Sequence, residues 1–271
     1  MEIAGKVFVV TGGGNGIGRA VVLDLVARGA KGVAAVDVND EGLAQTATLA
    51  ASTAVSTHVV DLADRAAVAA LPQAVVDAHG QVDGVLNVAG IIQRFVPVAE
   101  LSYEDIALVM NVNFWGVVHM TKEFLPLLME RPAASLVNVS SMGGLSPVPG
   151  QSVYGASKSA VKLFTEGLYA ELLDTSVDVT VIFPGAIATN ITANSGVDMA
   201  RTADSASSSK MKMTTAADAA AQIIAAMEKG AYRATVGSDA RLIDRLSRLM
   251  PRRATELVAK KMAALREPAK V

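Results

Sequence analysis

Cysteine is absent from all 271 residues, which excludes disulfides, thiol nucleophiles and cysteine-ligated metal while leaving the redox compartment undetermined. The three histidines, His58, His79 and His119, have no metal-ligand spacing, so no metal is expected. Long apolar runs are missing as well. The 51% hydrophobic content is dispersed over Ala and Val, and no stretch approaches the roughly 18 to 20 residues that a membrane span needs. Met1 to Lys6 lacks the basic start and apolar core of a signal peptide, so the expectation is a cytoplasmic protein. A net charge of −2 gives no reason to expect nucleic acid. There is no internal repeat and no linker. The pattern predicts one domain over residues 1–237, followed by a distinct extension over 238–271.

Within that domain, short apolar runs alternate with helical patterns. Val7 to Val10 leads into Thr11-Gly12-Gly13-Gly14-Asn15-Gly16-Ile17-Gly18 and then into an amphipathic stretch closed by Gly29, which reads as strand, glycine turn and helix. Glycines let a backbone approach a pyrophosphate closely, and the helix start offers free N–H groups and a positive dipole end. Gly12, Gly14, Asn15, Gly16, Ile17 and Gly18 are therefore the first candidates for dinucleotide contact. A second strand, Gly32 to Val36, ends at Asp37 and Val38. A carboxylate there accepts hydrogen bonds from adenosine ribose hydroxyls and repels a 2′-phosphate, and no Arg or Lys follows, so NAD is favoured over NADP. The third apolar stretch, His58 to Val60, ends at Asp61 and Leu62. There the chain either contacts the adenine or, through Asp61, caps a helix from Ala63 onward.

The fourth strand, Val82 to Leu86, opens into Asn87-Val88-Ala89-Gly90, whose small residues suit a loop close to cofactor; Asn87, Ala89 and Gly90 are the candidates. A helical pattern from Tyr103 to Met129 contains Asn113 and Gly116, both poor helix formers, so each needs a functional or packing reason. A sixth strand, Val177 to Phe183, stops at Pro184 and Gly185. The turn that follows carries Ile187 and Thr189 at the carboxyl edge of the sheet, where such sheets bind ligands. Helix Ala216 to Lys229 and strand Tyr232 to Val236 complete a doubly wound parallel α/β sheet of about seven strands.

The chemistry is expected between Ser141 and Lys158. Tyr154 and Lys158 stand four apart at the start of a helical segment (Ala156 to Leu173), so their side chains share a face. A phenol is a poor base near neutrality, and a neighbouring ammonium lowers its pKa. Ser141 follows a buried-strand run, Leu136 to Val139, where its hydroxyl can bond a substrate oxygen.

With Thr11-Gly12-x-x-x-Gly16-x-Gly18, Asn87-x-Ala89-Gly90, Asn113, Ser141, Tyr154-x-x-x-Lys158 and Pro184-Gly185 in this order, the chain resembles the short-chain dehydrogenase/reductase family over about residues 4–237. The resemblance implies a Rossmann-type fold and an NAD(H)-dependent oxidoreductase that interconverts a secondary alcohol and a ketone. It implies that Tyr154 is the general acid/base, and that Lys158 binds the nicotinamide ribose and depresses the tyrosine pKa. Ser141 would orient the substrate oxygen, and Asn113 would hold a water in a proton relay. One departure is Val88, where the family commonly has a second Asn. A dinucleotide-binding sensor or scaffold without chemistry is the alternative. A nucleotide-sugar epimerase or dehydratase would usually need a larger C-terminal domain.

Ser141, Leu145, Gln151 and Tyr154 are the candidate substrate contacts. Ile92, Phe95, Val148, Phe183 and a covering loop, 190–213, are further walls, mostly apolar, which points to an apolar alcohol or ketone. Arg94 either binds a carboxylate or is an exposed loop arginine. Apolar residues around much of the two long helices, including Val117, Val118, Phe164 and Leu168, predict a homo-oligomer, tetramer or dimer. Between Arg241 and Val271 nine basic residues face three acidic ones, +6 against −8 elsewhere. An amphipathic helix is expected before Pro251 and a second from about Thr255, packing on the body, on a sister subunit or on a membrane surface.

Overall fold

The computed structural model describes residues 1–189, 191 and 213–261, so nearly all of the expected covering loop lies outside the described residues. The strands β1 (Val7–Thr11), β2 (Gly32–Asp37), β3 (Val55–Val59), β4 (Gly84–Asn87), β5 (Ala134–Val139), β6 (Val177–Pro184) and β9 (Arg233–Val236) form one parallel sheet in the order β3-β2-β1-β4-β5-β6-β9. A small parallel pair, β7 (Ile187–Ala188) and β8 (Thr214–Thr215), lies beyond β6. Along β1, β4 and β5 every residue is buried, which is why these segments read as continuous apolar runs: a parallel sheet is covered on both faces.

Alternation along β1 divides the core. Phe8 and Val10 face α1 (Gly16–Ala27) and α7 (Ala216–Glu228), meeting Val21, Leu25, Ile223 and Met227. Val9 faces the other side, where α3 (Arg65–His79), α5 (Gly116–Met129) and α6 (Ser152–Glu171) bring Val68, Met120, Phe124 and Leu168. Full burial of side chains of this size stabilises the fold by roughly 1.5–3 kcal/mol each. The short helix α2 (Asp40–Ala50) is capped by Asn39, whose side chain accepts from Gly42 N at 3.0 Å.

The helix expected from Tyr103 to Met129 is present but is not uniform. It runs as α4 (Tyr103–Met110), one π turn over Asn111–Trp115, and α5, with Gly116 N donating to Asn111 O. The inserted turn supplies the reason for Asn113, whose side chain points inward. Gly116 has its own reason, since a Cβ there would lie 2.9 Å from the Cβ of Leu62. Val117 and Leu168 are buried within the chain and offer no surface to a partner. The outer apolar face belongs to Leu108, Trp115 and Leu163 instead.

After β9 come α8 (Ser238–Leu249) and α9 (Pro251–Lys261). The second helix starts at Pro251 rather than near Thr255, because proline lacks the N–H that a first helical residue leaves unused and its fixed φ suits that position. Asp239, in the first turn of α8, accepts from Ala186 N at 2.7 Å, so the extension is fastened to the turn that follows β6.

Candidate active site

The chain order reverses between β1 and β4, and a cleft of about 380 Å³ opens there at the carboxyl ends of the strands. Its floor depends on glycine at two places. Gly12 has φ +71° and lies against Ala89, where an added Cβ would meet backbone at 3.1 Å; a Cβ on Gly18 would overlap the carbonyl of Gly12. Thr11 Oγ1 accepts from Val88 N at 3.0 Å and Ala89 N at 3.1 Å, tying the loop after β4 to the glycine turn. Asn15 stands at the N-cap of α1 without a side-chain cap, and Gly16, Ile17 and Gly18 line the cleft, so the positive end of the helix faces it.

Asp37 is half-buried at the end of β2, with Oδ2 accepting from Gly14 N at 2.9 Å and Oδ1 from Asn39 N at 3.0 Å. Each carboxylate oxygen keeps a lone pair for a ribose hydroxyl. Arg19 secures the same corner, donating to the carbonyls of Gly14 and Gly42 and to Thr46 Oγ1.

Of the sequence candidates, Gly12, Asn15, Gly16, Ile17, Gly18, Asp37, Val38, Asp61, Leu62, Ala89, Gly90 and Thr189 line this cleft. Gly14 stands beside it, bonded to Asp37. Asp61 does not cap the following helix: that is done by Asp64, which accepts from Ala66 N and Ala67 N, while the Asp61 carboxylate accepts from Ala63 N in the turn ahead of it. Asn87 is buried and donates to Asn138 Oδ1 at 2.8 Å, and Asn138 in turn donates to Thr165, so this pair joins β4 and β5 to α6. Pro184 ends β6 and Gly185 and Ile187 follow it; Gly185 packs against the Asp239 carboxylate, leaving no room for a Cβ. The lining residues Val88, Ile91, Leu108 and Val112 were not anticipated. Leu108 and Val112 are four apart on one helical face, a signal that ordinary core spacing hides.

Lys158 is 3% exposed, its Nζ donates to Val139 O at 3.0 Å, and burial lowers its pKa to about 8. It lies over Gly90, where a Cβ would be 2.9 Å from Nζ and 3.3 Å from Asn113 Oδ1. Asn113 is fully buried, with Oδ1 accepting from Ile91 N at 2.8 Å and Nδ2 donating to Ile91 O at 2.9 Å and Ser157 Oγ at 3.0 Å. Both amide hydrogens are thus committed to protein partners. Ser157 also donates to Tyr154 O at 2.7 Å, so Asn113 is linked to the helix that carries Tyr154.

Tyr154 and Ser141 are brought together at the mouth of this cluster. Gly143 lies against both, and a Cβ there would lie 3.3 Å from the tyrosine ring and 3.4 Å from Ser141 Oγ. Burial pushes the Tyr154 phenol above its ordinary pKa, and its hydrogen bond with the Ser141 hydroxyl works in the opposite direction. The lowering expected from Lys158 does not govern the phenol here, since the ammonium points at Val139 and burial dominates both groups. Ser140, which sequence reasoning passed over, donates to Lys158 O at 2.7 Å and holds the strand end against α6.

On the substrate side, Leu145 is half-buried in the loop after Ser141. Gln151 is 3% exposed, and its Nε2 donates to Gln93 O at 2.6 Å instead of facing open space. Phe183 is not a wall, because it is fully buried in β6 beneath the Arg233 guanidinium, 4.7 Å from the ring centre. Arg94 is exposed and paired with Asp105 at 3.2 Å. No helix among the described residues is long and apolar enough to cross a membrane, and no group of metal-ligating side chains occurs among them.

Residues 6–200 match the short chain dehydrogenase family. The Mycobacterium tuberculosis protein SadH is 40% identical over 263 residues, 94% of each chain. A Burkholderia phymatum short chain dehydrogenase/reductase solved in complex with NAD superposes with a TM-score of 0.84 at 26% identity, covering 100% of this chain and 99% of that one. A Burkholderia cenocepacia short chain dehydrogenase solved with NADP gives 0.80 at 26% identity, covering 95% and 99%. The glycine turn, the strand order and the Tyr154–Lys158 helix against β5 agree with these likenesses, and the chain belongs to the short-chain dehydrogenase/reductase family of oxidoreductases.

Proposed function

We propose that this chain is an NAD(H)-dependent oxidoreductase that interconverts a secondary alcohol and a ketone, most of the substrate surface being apolar. The observation that carries this reading is the pairing of Ser141 with Tyr154 beside Gly143 while Lys158, on the same helix as Tyr154, lies over Gly90 in the wall of a cleft that also contains Asp37. The cleft fits a dinucleotide: glycine backbone and the positive end of α1 suit the pyrophosphate, and the Asp37 carboxylate suits the adenosine ribose hydroxyls. That carboxylate also favours NAD over NADP. A nicotinamide ring, when bound, supplies or accepts the hydride.

The chain's own residues move the proton. Tyr154 gives it to the oxygen of a carbonyl during reduction and takes it from a hydroxyl during oxidation. Burial keeps the phenol protonated near neutrality, which suits its role as donor. Ser141 hydrogen-bonds the same substrate oxygen and steadies the charge that develops on it. Lys158 lies within reach of a ribose over Gly90, and Asn113 fixes the loop at Ile91. The test is NADH absorbance against a panel of cyclic and acyclic secondary alcohols and ketones, with NAD and NADP compared. Dinucleotide binding without turnover on any of them would favour the sensor reading, and preference for NADPH in kcat/KM would overturn the role of Asp37.

The same reading includes a homo-oligomer. Its support is the exposed apolar surface of α4, the π turn after it and α6, where Leu108, Trp115 and Leu163 are 54%, 48% and 69% exposed. Light scattering at micromolar concentration checks it, and a monomer would defeat it.

A further inference from the structure

The helix carrying Tyr154 and Lys158 begins without a cap of its own. Gln151 stands at its N-cap position but offers no side-chain hydrogen bond to the first turn. That role is taken from a distance by Gln93, in the segment after β4. Gln93 Oε1 accepts from Val153 N and from Tyr154 N, both at 2.9 Å, although these residues lie 60 and 61 positions further along the chain. Its Nε2 donates to Gly150 O at 3.0 Å, and its main-chain oxygen receives Gln151 Nε2 at 2.6 Å. Gln93 is 2% exposed. Four bonds from one residue therefore define where α6 starts.

The other end of the same segment is equally fixed. Ile91, two residues earlier, lines the cleft and is gripped through both its N–H and its carbonyl by Asn113. A span of three residues thus joins the cleft wall to the amide of Tyr154. We infer that Gln93 is a positioning residue: it sets the distance between the cleft wall at Ile91 and the Tyr154 hydroxyl, and it caps the helix with a neutral group so that the positive end of α6 acts undiminished on the phenol. This rests on Tyr154 being the proton-transfer group.

Capping by an amide oxygen differs from capping by a carboxylate. Both accept two N–H groups, but only the carboxylate adds a negative charge near the phenol and opposes its ionisation. Few other charges complicate the comparison. Lys158 is the titratable group four residues along the same helix. The turn after β5 contributes the uncharged Ser141 and Gly143, and Arg94 turns outward to Asp105.

The experiment uses the full chain with saturating NAD and follows Tyr154 ionisation by ultraviolet difference titration, subtracting a Tyr154→Phe variant to remove the other three tyrosines. Activity on a secondary alcohol that the wild type turns over is measured in parallel. Gln93→Met keeps the volume and removes every side-chain bond. It is expected to lower kcat by roughly 10- to 100-fold, as misplacement of a reacting group does, with NAD affinity unchanged. Gln93→Glu keeps the double acceptor but gives up the bond to Gly150 O, and it is expected to recover part of the kcat lost in Gln93→Met while raising the phenol's pKa, and the pH at which the rate is half-maximal, by roughly one unit. A Gln93→Glu enzyme that titrates as wild type, or a Gln93→Met enzyme with wild-type kcat, overturns the inference. If Gln93→Met does not fold, the Gln93→Glu titration decides alone. Full turnover in Tyr154→Phe would overturn the underlying assignment, whereas an inactive Tyr154→Phe with an unshifted Gln93→Glu overturns only the role of Gln93.

Discussion

Lys158 Nζ meets the main-chain oxygen of Val139 at 3.0 Å, and among the described residues this is the one hydrogen bond that the buried ammonium makes. A buried charge with so few partners is held at a cost to stability.

Replacing Lys158 with Met is therefore expected to stabilise the fold while removing activity and weakening NAD binding. Burial lowers the lysine pKa from 10.5 to about 8. Between those values the unfolded chain holds a proton that the folded chain has released, so wild-type stability rises with pH across that window. Below about pH 8 the full burden applies, about 3 kcal/mol at roughly 1.4 kcal/mol per pH unit. Loss of the donor to Val139 O offsets part of this, so the expected gain at pH 7 is about 1–3 kcal/mol, fading by pH 10. Urea unfolding at several pH values measures it, and a variant less stable at pH 7 would contradict it.

Tyr154→Phe should leave NAD affinity nearly unchanged, since the glycine turn, Asp37 and Lys158 are the groups proposed to supply it. Its kcat should fall by roughly 10²- to 10⁴-fold, the usual loss on removing an acid/base group. Stopped-flow binding and steady-state turnover separate the two quantities. Equal losses in binding and turnover would point to a disturbed fold.

Asp37→Ser should raise the ratio of kcat/KM for NADP over NAD by roughly 10- to 100-fold, about 1.4–2.8 kcal/mol of discrimination. Part of the change will appear as weaker NAD use, because the carboxylate also anchors Gly14 N and Asn39 N. Kinetics with both dinucleotides provide the check, and an unchanged ratio would mean that discrimination resides elsewhere.

At the opposite edge of the sheet, Asp83 is fully buried and accepts from Val7 N, Arg131 and Gln81. Burial alone would raise its pKa, but these bonds and the Arg131 charge hold it below the usual carboxylate value. Asp83→Ala should cost about 3–5 kcal/mol by stranding Arg131 and the Val7 amide. Dinucleotide affinity should survive, since Asp83 precedes β4 and the cleft follows it. The wild-type contribution is complete above the ordinary Asp pKa of 3.8 and is lost as pH falls through the lower folded value. A thermal-melt series from neutral to acid pH for both proteins follows the difference.

The features that could be read from residue order are those whose partners are close in the chain. Gly12 to Gly18 is a local turn, Asp37 ends a strand, and Tyr154 and Lys158 share a helical face, so spacing alone places them. Gln93 was not legible because its partners lie some sixty positions away and its segment has no periodicity. Ser140 and Ser157 were hidden for the same reason, each looking like an ordinary small residue beside an expected one. Asn113 was legible only as an anomaly: poor helix propensity marked it, but the π turn that aims it at Ile91 has no sequence signature of its own. The burial that raises the Tyr154 pKa was not legible either, because spacing conveys charge proximity and says nothing of burial.

The bond from Ala186 N to Asp239 spans 53 positions, and it secures the turn that brings Thr189 to within 3.5 Å of where a Cβ on Gly16 would stand. On a ribosome those two residues emerge at different times. A nascent chain halted just short of Asp239 already contains every strand and the whole Tyr154 helix, and it holds the turn through Val236 O, which accepts from Gly185 N, and through the Ile187–Thr214 pairing, but it lacks the carboxylate that receives Ala186 N. The last bond on the turn that carries Thr189 is thus made by a residue synthesised after the whole sheet, and a polypeptide cut short before α8 is expected to hold that turn less firmly than the full chain.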